Sequence, residues 1–342
     1  MKKSCLTAVL AALLLLFAGC ARKDEKVGET DIKEDKIQIG LSFDSFVIER
    51  WQRDRDVFVT TAQDLGAEVN VQNANGDVKE QISQIEYFID KEMDVIVIIA
   101  VDSEACKNVI GKARDAGIKV VAYDRMLMKS NADLYISFDN EEVGRLMAET
   151  LAEKVPEGGN IITIFGPTTD NNVGQVEKGF NEVMEKNNLN VIHSVYAKAW
   201  LAEEAFQAVN DGLKITTDIG GVMCGNDNLA TQAVQALSES RLAGKVVVTG
   251  QDADLAACQR IVEGTQTMTV YKPVAKLAKA AAEYAVKLAK GEKIEVSATI
   301  NDGSHEIPYV KLEPIAVNKD NIDYFIIDGG FHKKEEVYLN VH

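Results

Sequence analysis

The sequence predicts an α/β chain built from two similar units, each a parallel sheet with helices on both faces. Three observations carry that expectation. Lys119-Val-Val-Ala-Tyr-Asp124-Arg125 and Lys245-Val-Val-Val-Thr-Gly-Gln-Asp252 are β-branched runs that begin at a lysine and stop at an acidic polar cluster. Unbroken runs of this kind are strands covered on both faces, as in parallel sheets. Strand-like and helix-like segments alternate around both runs in the same order, which sets the repeat at the level of the fold. Open sheets of this class bind ligands beyond the carboxyl ends of their strands, so two such ends suggest two sheets facing one ligand.

The first unit opens with an apolar strand from Lys36 to Phe43. Trp51, Phe58, Ala62 and Leu65 then recur at helical spacing between Glu49 and Leu65. Val69 to Gln72 reads as a second strand ending at Asn73-Ala-Asn75-Gly76. Val78, Ile82, Ile85 and Ile89 define one helix face, with Asp77 and Glu80 marking its start. Asp94 to Ala100 is a third buried strand, Ser103 to Ala116 a helix, and Gly117 a stop before the strand that ends at Asp124.

The second unit repeats this order. Ile161 to Phe165 leads to Asp170-Asn171-Asn172, Val191 to Tyr196 to Lys198-Ala-Trp200, and Gly221 to Cys224 to Asn226-Asp227, before the run that ends at Asp252. Thr267 to Tyr271 is a further strand. Pro273 opens an Ala-rich helix whose Val274, Leu277, Ala278, Ala281, Ala285 and Leu288 share one face, and Gly291 ends it. The tail from Ile294 holds short strand-like pieces with Pro308 and Pro314, so a further crossing between units is expected there.

The ends and the composition narrow the class. Lys2 and Lys3 precede an apolar stretch from Leu6 to Phe17 and then Ala18-Gly19-Cys20, the layout of an export signal. The Ala-Gly-Cys ending resembles a bacterial lipobox, in which Cys20 becomes the lipidated first residue; a plainly cleaved signal and an uncleaved anchor are the alternatives. Ala21 to Asp35 is charged and free of aromatics, as a solvated tether would be. A formal charge of −16 argues against nucleic acid, which calls for a basic face. Cys106, Cys224 and Cys258 show no CxxC spacing and read as buried thiols, with a Cys224–Cys258 bridge as the alternative.

Topology gathers Arg50, Trp51, Asp124, Arg125, Asn171, Asn172, Trp200, Asn226, Asp227, Asp252 and Lys272 at strand ends. A sugar hydroxyl donates and accepts together, so carboxylates, amides and guanidinium groups can fix each one in direction. The C–H faces of a pyranose call for flat apolar partners, and Trp51 and Trp200 are the only tryptophans. The set suits a neutral polyol. Each member also has a structural reading: Trp51 as core, Arg50 as part of the charged run to Asp56, Asp124 with Arg125 as an ion pair, the asparagines and Asp252 as helix caps, Lys272 as a surface residue. Their joint placement favours a site. There is no Walker A sequence, no GxGxxG after the first strand and no GxSxG elbow. His193, His305, His332 and His342 show no metal-ligand spacing and read as exposed or structural, so neither metal nor cofactor is expected. A secreted sugar hydrolase would need a nucleophile with a base, or two carboxylates about a scissile bond, and neither is legible.

Glu49-Arg-Trp-Gln52, Ala122-Tyr-Asp-Arg-Met126, Tyr135-Ile-Ser-Phe-Asp-Asn140, Gly250-Gln-Asp-Ala-Asp254 and Gly264-Thr-Gln-Thr-Met-Thr-Val-Tyr-Lys-Pro273 resemble the ribose/galactose-type periplasmic binding proteins, and among them the receptors of D-xylose importers. The resemblance runs from about Lys36 to His332. It implies two Rossmann-like lobes with parallel sheets, joined by a three-strand hinge: residues 36–140 and 271–301 in the first lobe, 141–270 and 302–335 in the second, after a signal over 1–19 and a tether over 20–35. It implies sugar contacts from Arg50, Asp124, Arg125, Asn172, Trp200, Asn226, Asp252 and Lys272, with Trp51 as a stacking partner and Asn172 favoured over Asn171. Lys198-Ala199 departs from the Asp-Gly usual in the family ahead of Trp200. The implied function is high-affinity capture of D-xylose outside the cytoplasm and delivery to an ABC permease with its ATPase subunit, without catalysis. Ribose, glucose or allose as ligand, and signalling through a chemoreceptor or sensor kinase, are the alternatives. The expected state is a monomer in the periplasm or at the outer face of the cytoplasmic membrane, held there only by the lipid on Cys20.

Overall fold

The computed structural model describes residues 36–296 and 298–341; the expected signal, tether and Cys20 lie outside them. The chain first lays down β1 (Gln38–Phe43), β2 (Glu68–Asn73), β3 (Val95–Ile98), β4 (Lys119–Tyr123) and β5 (Leu134–Phe138), then β6 (Asn160–Phe165), β7 (Asn190–Tyr196), β8 (Gly221–Cys224), β9 (Val247–Gln251) and β10 (Met268–Tyr271). It returns with β11 (Ala298–Asn301) and β12 (Glu306–Leu312) and ends with β13 (Ile315–Asn318). These make a seven-stranded sheet in the order β11-β12-β5-β4-β3-β1-β2 and a six-stranded sheet in the order β13-β10-β9-β8-β6-β7.

The strands from β1 to β10 pair in parallel, as the β-branched runs predict, and every residue of β3 is buried. Both sheets nevertheless end in an antiparallel edge strand, β11 against β12 and β13 against β10. The cause is the tail, which turns back on itself in a hairpin and then runs directly from one sheet to the other.

Helices α1 (Arg50–Asp64), α2 (Val78–Asp90) and α3 (Lys107–Asp115) belong to the first lobe. The second holds α4 (Asn140–Lys154), α5 (Asn171–Met184), α6 (Glu203–Ile215), α7 (Asp227–Glu239) and α8 (Leu255–Glu263). The long α9 (Val274–Ala289) returns to pack on α1, and the short α10 (Lys334–Val337) lies beside α8. Asp77 caps α2 by accepting from the backbone N–H of Lys79 and Glu80 at 2.7 and 3.2 Å. Helix α3 begins four residues later than Ser103, because the Asp102 carboxylate takes the N–H groups of Glu104 and Ala105 into a turn. Helices α4 and α5 touch backbone to backbone: a Cβ on Gly144 would stand 1.9 Å from the Val176 carbonyl, and one on Gly179 would stand 1.8 Å from that of Glu141.

The chain crosses between lobes at Asp139, at Lys272-Pro273 and at Glu313-Pro314. The last crossing lies beyond the 301/302 boundary expected from sequence. Strand β12 pairs in parallel with β5, and the Asp302 carboxylate accepts from the N–H groups of Ser130 and Asn131, so residues 302–312 belong to the first lobe.

Candidate functional site

Asp124 and Asp252 each follow directly on a buried strand, β4 and β9, and both take left-handed φ, 61° and 96°. Each donates its N–H to the adjoining strand, Asp124 to the Ile136 carbonyl at 2.8 Å and Asp252 to that of Val270 at 2.9 Å. A left-handed aspartate therefore ends each of the two echoed runs and presents a carboxylate from each lobe.

Arg50, in the first turn of α1, stands between them. Its guanidinium grips Asp54 through Nη2–Oδ1 at 2.9 Å and Nε–Oδ2 at 3.2 Å. Nη1 lies 2.8 Å from Asp124 Oδ2 and 3.9 Å from Asp252 Oδ1. Tyr123 donates its hydroxyl to the same Oδ1 of Asp54. Burial opposes ionisation of Asp124, but Arg50, Lys272 and Arg125 outweigh it and hold the carboxyl below its ordinary range. For Asp54 burial wins and the pKa is raised. Arg50 itself is held firmly charged, because Asp124 and Asp54 outweigh the burial that opposes it.

A second guanidinium spans the lobes. Arg125 Nη1 donates to Asp44 Oδ2 at 2.7 Å and to the Ala100 carbonyl at 2.9 Å, while its Nε lies 2.7 Å from Asp170 Oδ2 of the opposite lobe. Arg125 thus pairs with Asp44 and Asp170 instead of with Asp124. Asn172 reaches across in the other direction, donating to the Asp124 carbonyl at 3.1 Å and to its Oδ1 at 3.2 Å. Lys272, on a hinge crossing, places Nζ 2.7 Å from Asp252 Oδ1. Asn226 caps α7 through the Leu229 N–H at 2.9 Å and lines the cavity as well.

The aromatic walls come from both lobes. Trp51 is only 2% exposed, with the Arg50 guanidinium 4.5 Å from its ring centroid and Phe43 edge-on at 6.2 Å. Trp200 packs so closely over Gly166 that a Cβ there would lie 2.3 Å from the indole. The loop before it holds Ala199 at φ 48° and Trp200 at φ 60°. Ala199 thus takes a conformation that glycine, the residue the family resemblance places there, adopts without strain.

All nine sequence-predicted residues, Arg50, Trp51, Asp124, Arg125, Asn172, Trp200, Asn226, Asp252 and Lys272, line one interlobe cavity. Asn171 does not line it; its amide donates to Met128 Sδ and its carbonyl accepts from Gln175. Asp227 lies behind it, accepting from Gln266 Nε2 at 2.8 Å and Thr269 Oγ1 at 2.7 Å. Sequence reasoning missed Phe165, Asn140 and Gln251 and gave Asp170 no role of its own, although all four line the cavity. Phe165 and Gln251 are the last residues of β6 and β9, so the strands' final residues line the cavity as well as the polar clusters that follow them.

Cys106, Cys224 and Cys258 are free and buried, and burial pushes the Cys106 thiol up to about 12. Among the described residues no group of three His, Cys, Asp or Glu side chains is placed to hold a metal ion, and no helix is long and apolar enough to cross a membrane.

Residues 39–293 match the family model described as periplasmic binding protein domain. The chain is 45% identical over 341 residues to the D-xylose-binding periplasmic protein of Haemophilus influenzae, covering 98% of this chain and 99% of that protein. It is 44% identical over 307 residues to the D-xylose-binding periplasmic protein of Escherichia coli, covering 88% and 93%. Its fold matches an ABC transporter solute-binding protein of Clostridium phytofermentans crystallised with β-D-glucose, with a TM-score of 0.80, 26% identity and coverage of 88% and 99%. With its two sheets and the matched residues spanning both lobes, the chain belongs to the periplasmic binding protein family.

Proposed function

We propose that this chain captures D-xylose between its two lobes outside the cytoplasm and presents the closed form to the permease of an ABC transporter, itself driven by an ATPase subunit. The observation that carries this reading is the convergence of Asp124 and Asp252, one from each lobe, on the single Arg50 guanidinium at the wall of a buried cavity. Trp51 Nε1, Trp200 Nε1 and Gln251 Oε1 are buried there without hydrogen-bond partners. Hydroxyls that donate and accept together suit such a mixed set. A ligand drives closure only by binding the closed form more tightly, and contacts from both lobes supply that difference.

Catalysis is not part of this reading. Asp124, held ionised by Arg50, has no proton to give as a general acid. A single sugar panel tests the assignment. D-xylose is expected to raise the unfolding temperature more than ribose, glucose or allose at equal concentration, since stabilisation follows ligand affinity. A larger shift from another of these sugars overturns the choice of ligand, and no shift from any overturns the receptor reading.

The export layout around Cys20 supports a lipid anchor that keeps a monomeric receptor near its permease, raising effective concentration without adding contacts. Mass spectrometry of the mature N-terminus checks it: a diacylated Cys20 is expected, and an unmodified soluble terminus refutes it. Signalling through a chemoreceptor or sensor kinase is compatible with the same closed form.

A further inference from the structure

The turn that carries Asp252 is held from an unexpected direction. Asp252 and the following Ala253 both take left-handed φ, 96° and 55°, a region that costs free energy for any residue but glycine and persists only when its surroundings enforce it. Nearby groups supply three ties: Asp252 N–H to the Val270 carbonyl, Ala253 N–H to Thr269 Oγ1 at 3.1 Å, and Asp254 N–H to Asp227 Oδ2 at 3.1 Å. The fourth comes from the C-terminal segment, where His332 Nε2 lies 2.8 Å from the Ala253 carbonyl oxygen. A carbonyl oxygen only accepts, so Nε2 carries the proton. The peptide joining Ala253 to Asp254 is therefore clamped at both ends, its C=O by His332 and its N–H by Asp227. Cys258 Sγ also approaches that oxygen, at 3.5 Å, but a thiol is a weak donor.

The neighbouring residue braces the next cavity loop. Phe331 packs on Tyr271 with ring centroids 4.8 Å apart, directly before Lys272, and takes the Arg53 guanidinium of the opposite lobe at 4.0 Å from its ring centroid. Two consecutive residues thus support the loops of Asp252 and Lys272, whose side chains meet at 2.7 Å.

From this geometry we propose that His332 is a positioning residue for ligand binding, fixing the Ala253 carbonyl so that the left-handed turn holds the Asp252 carboxylate toward the cavity. The inference rests on the assignment of Asp252 to the sugar site. It gives a role to a histidine whose sequence context indicates none, because the contact joins residues 79 apart in the chain.

The test is calorimetric titration of the full chain with D-xylose. His332→Phe keeps a ring and deletes the donor; His332→Gln restores an N–H at comparable reach. His332→Phe is expected to weaken binding about tenfold, the scale of one lost hydrogen bond, and His332→Gln to recover most of it. Their unfolding temperatures without sugar are expected to match, so that a purely structural role would not separate the two variants. Unchanged affinity in His332→Phe, or equal weakening in both variants, overturns the inference. Asp252→Ala is the control: if it binds as the unsubstituted protein does, the site assignment fails, whereas loss of binding there beside normal His332→Phe sinks the positioning role alone.

Discussion

Arg50 Nη1 is 2.8 Å from Asp124 Oδ2 on its own lobe and 3.9 Å from Asp252 Oδ1 on the other. One guanidinium, anchored to Asp54 by two hydrogen bonds, is therefore a fixed reference against which both acids are set. Arg50→Met is expected to lower D-xylose affinity by a factor of roughly 100 or more, since breaking a buried charge pair costs about 3–5 kcal/mol. Part of that loss will be seen as reduced stability without sugar, because Asp54 is left buried with only Tyr123 as partner. Titration calorimetry and urea denaturation separate the two effects.

Asp252 and Arg125 both sit in buried charge pairs. Asp252→Asn keeps the shape of the side chain and removes its charge beside the buried Lys272, so affinity is expected to fall by about 10–100-fold, with a loss of stability without sugar as Lys272 is left without its counter-charge. Arg125→Ala strands Asp44 and Asp170, both buried. Its stability is expected to fall by about 3 kcal/mol alongside its affinity. A normal denaturation midpoint in Arg125→Ala would contradict this network.

Two glycines allow fold and site to be separated. Gly179→Ala drives a Cβ into the Glu141 carbonyl, and backbone cannot yield as a side chain can, so a loss of about 3 kcal/mol or more is expected. Gly166→Ala presses instead on the movable Trp200 ring. Its effect is expected mainly in affinity, with altered indole fluorescence and a near-normal urea midpoint.

Asp227 provides a pH signature. Burial pushes its pKa up to about 7, against the opposing pull of Arg260 and its own hydrogen bonds. A carboxyl with a raised folded-state pKa holds its proton more readily when folded, so its contribution to stability is complete below its ordinary range and is lost as pH rises toward 7. The stability difference between the unsubstituted protein and Asp227→Asn is therefore expected to change in that window, with the unsubstituted protein losing ground as pH rises from 4 to 7. A difference that does not vary with pH would refute it. Circular dichroism in urea across a pH series measures it.

Much of this was legible because buried parallel strands write themselves as apolar runs. The runs from Lys119 and Lys245 located both acids, since the polar residue after such a run falls at the carboxyl edge of a sheet. Helix α4 was less legible: Gly144 meets α5 at backbone distance, a close approach that the buried Val143, Met147 and Leu151 of the same helix do not signal. The lobe boundary in the tail was misplaced because β12, with Pro308 inside it, pairs with a strand far earlier in the chain. His332 and Asp170 were hidden for a related reason. What each does depends on a partner from a different stretch of chain, Ala253 or Arg125, and no local periodicity reports that.

The three crossings between lobes are not equivalent. Asn140 adjoins the first, Lys272 lies on the second, and both line the cavity, while Glu313-Pro314 on the third does not. Bound sugar would thus be gripped by two of the very segments about which the lobes swing, making ligand and pivot one mechanical joint. The third segment is the place for a reporter: a fluorophore near Glu313 would register the swing while standing clear of the groups that cause it.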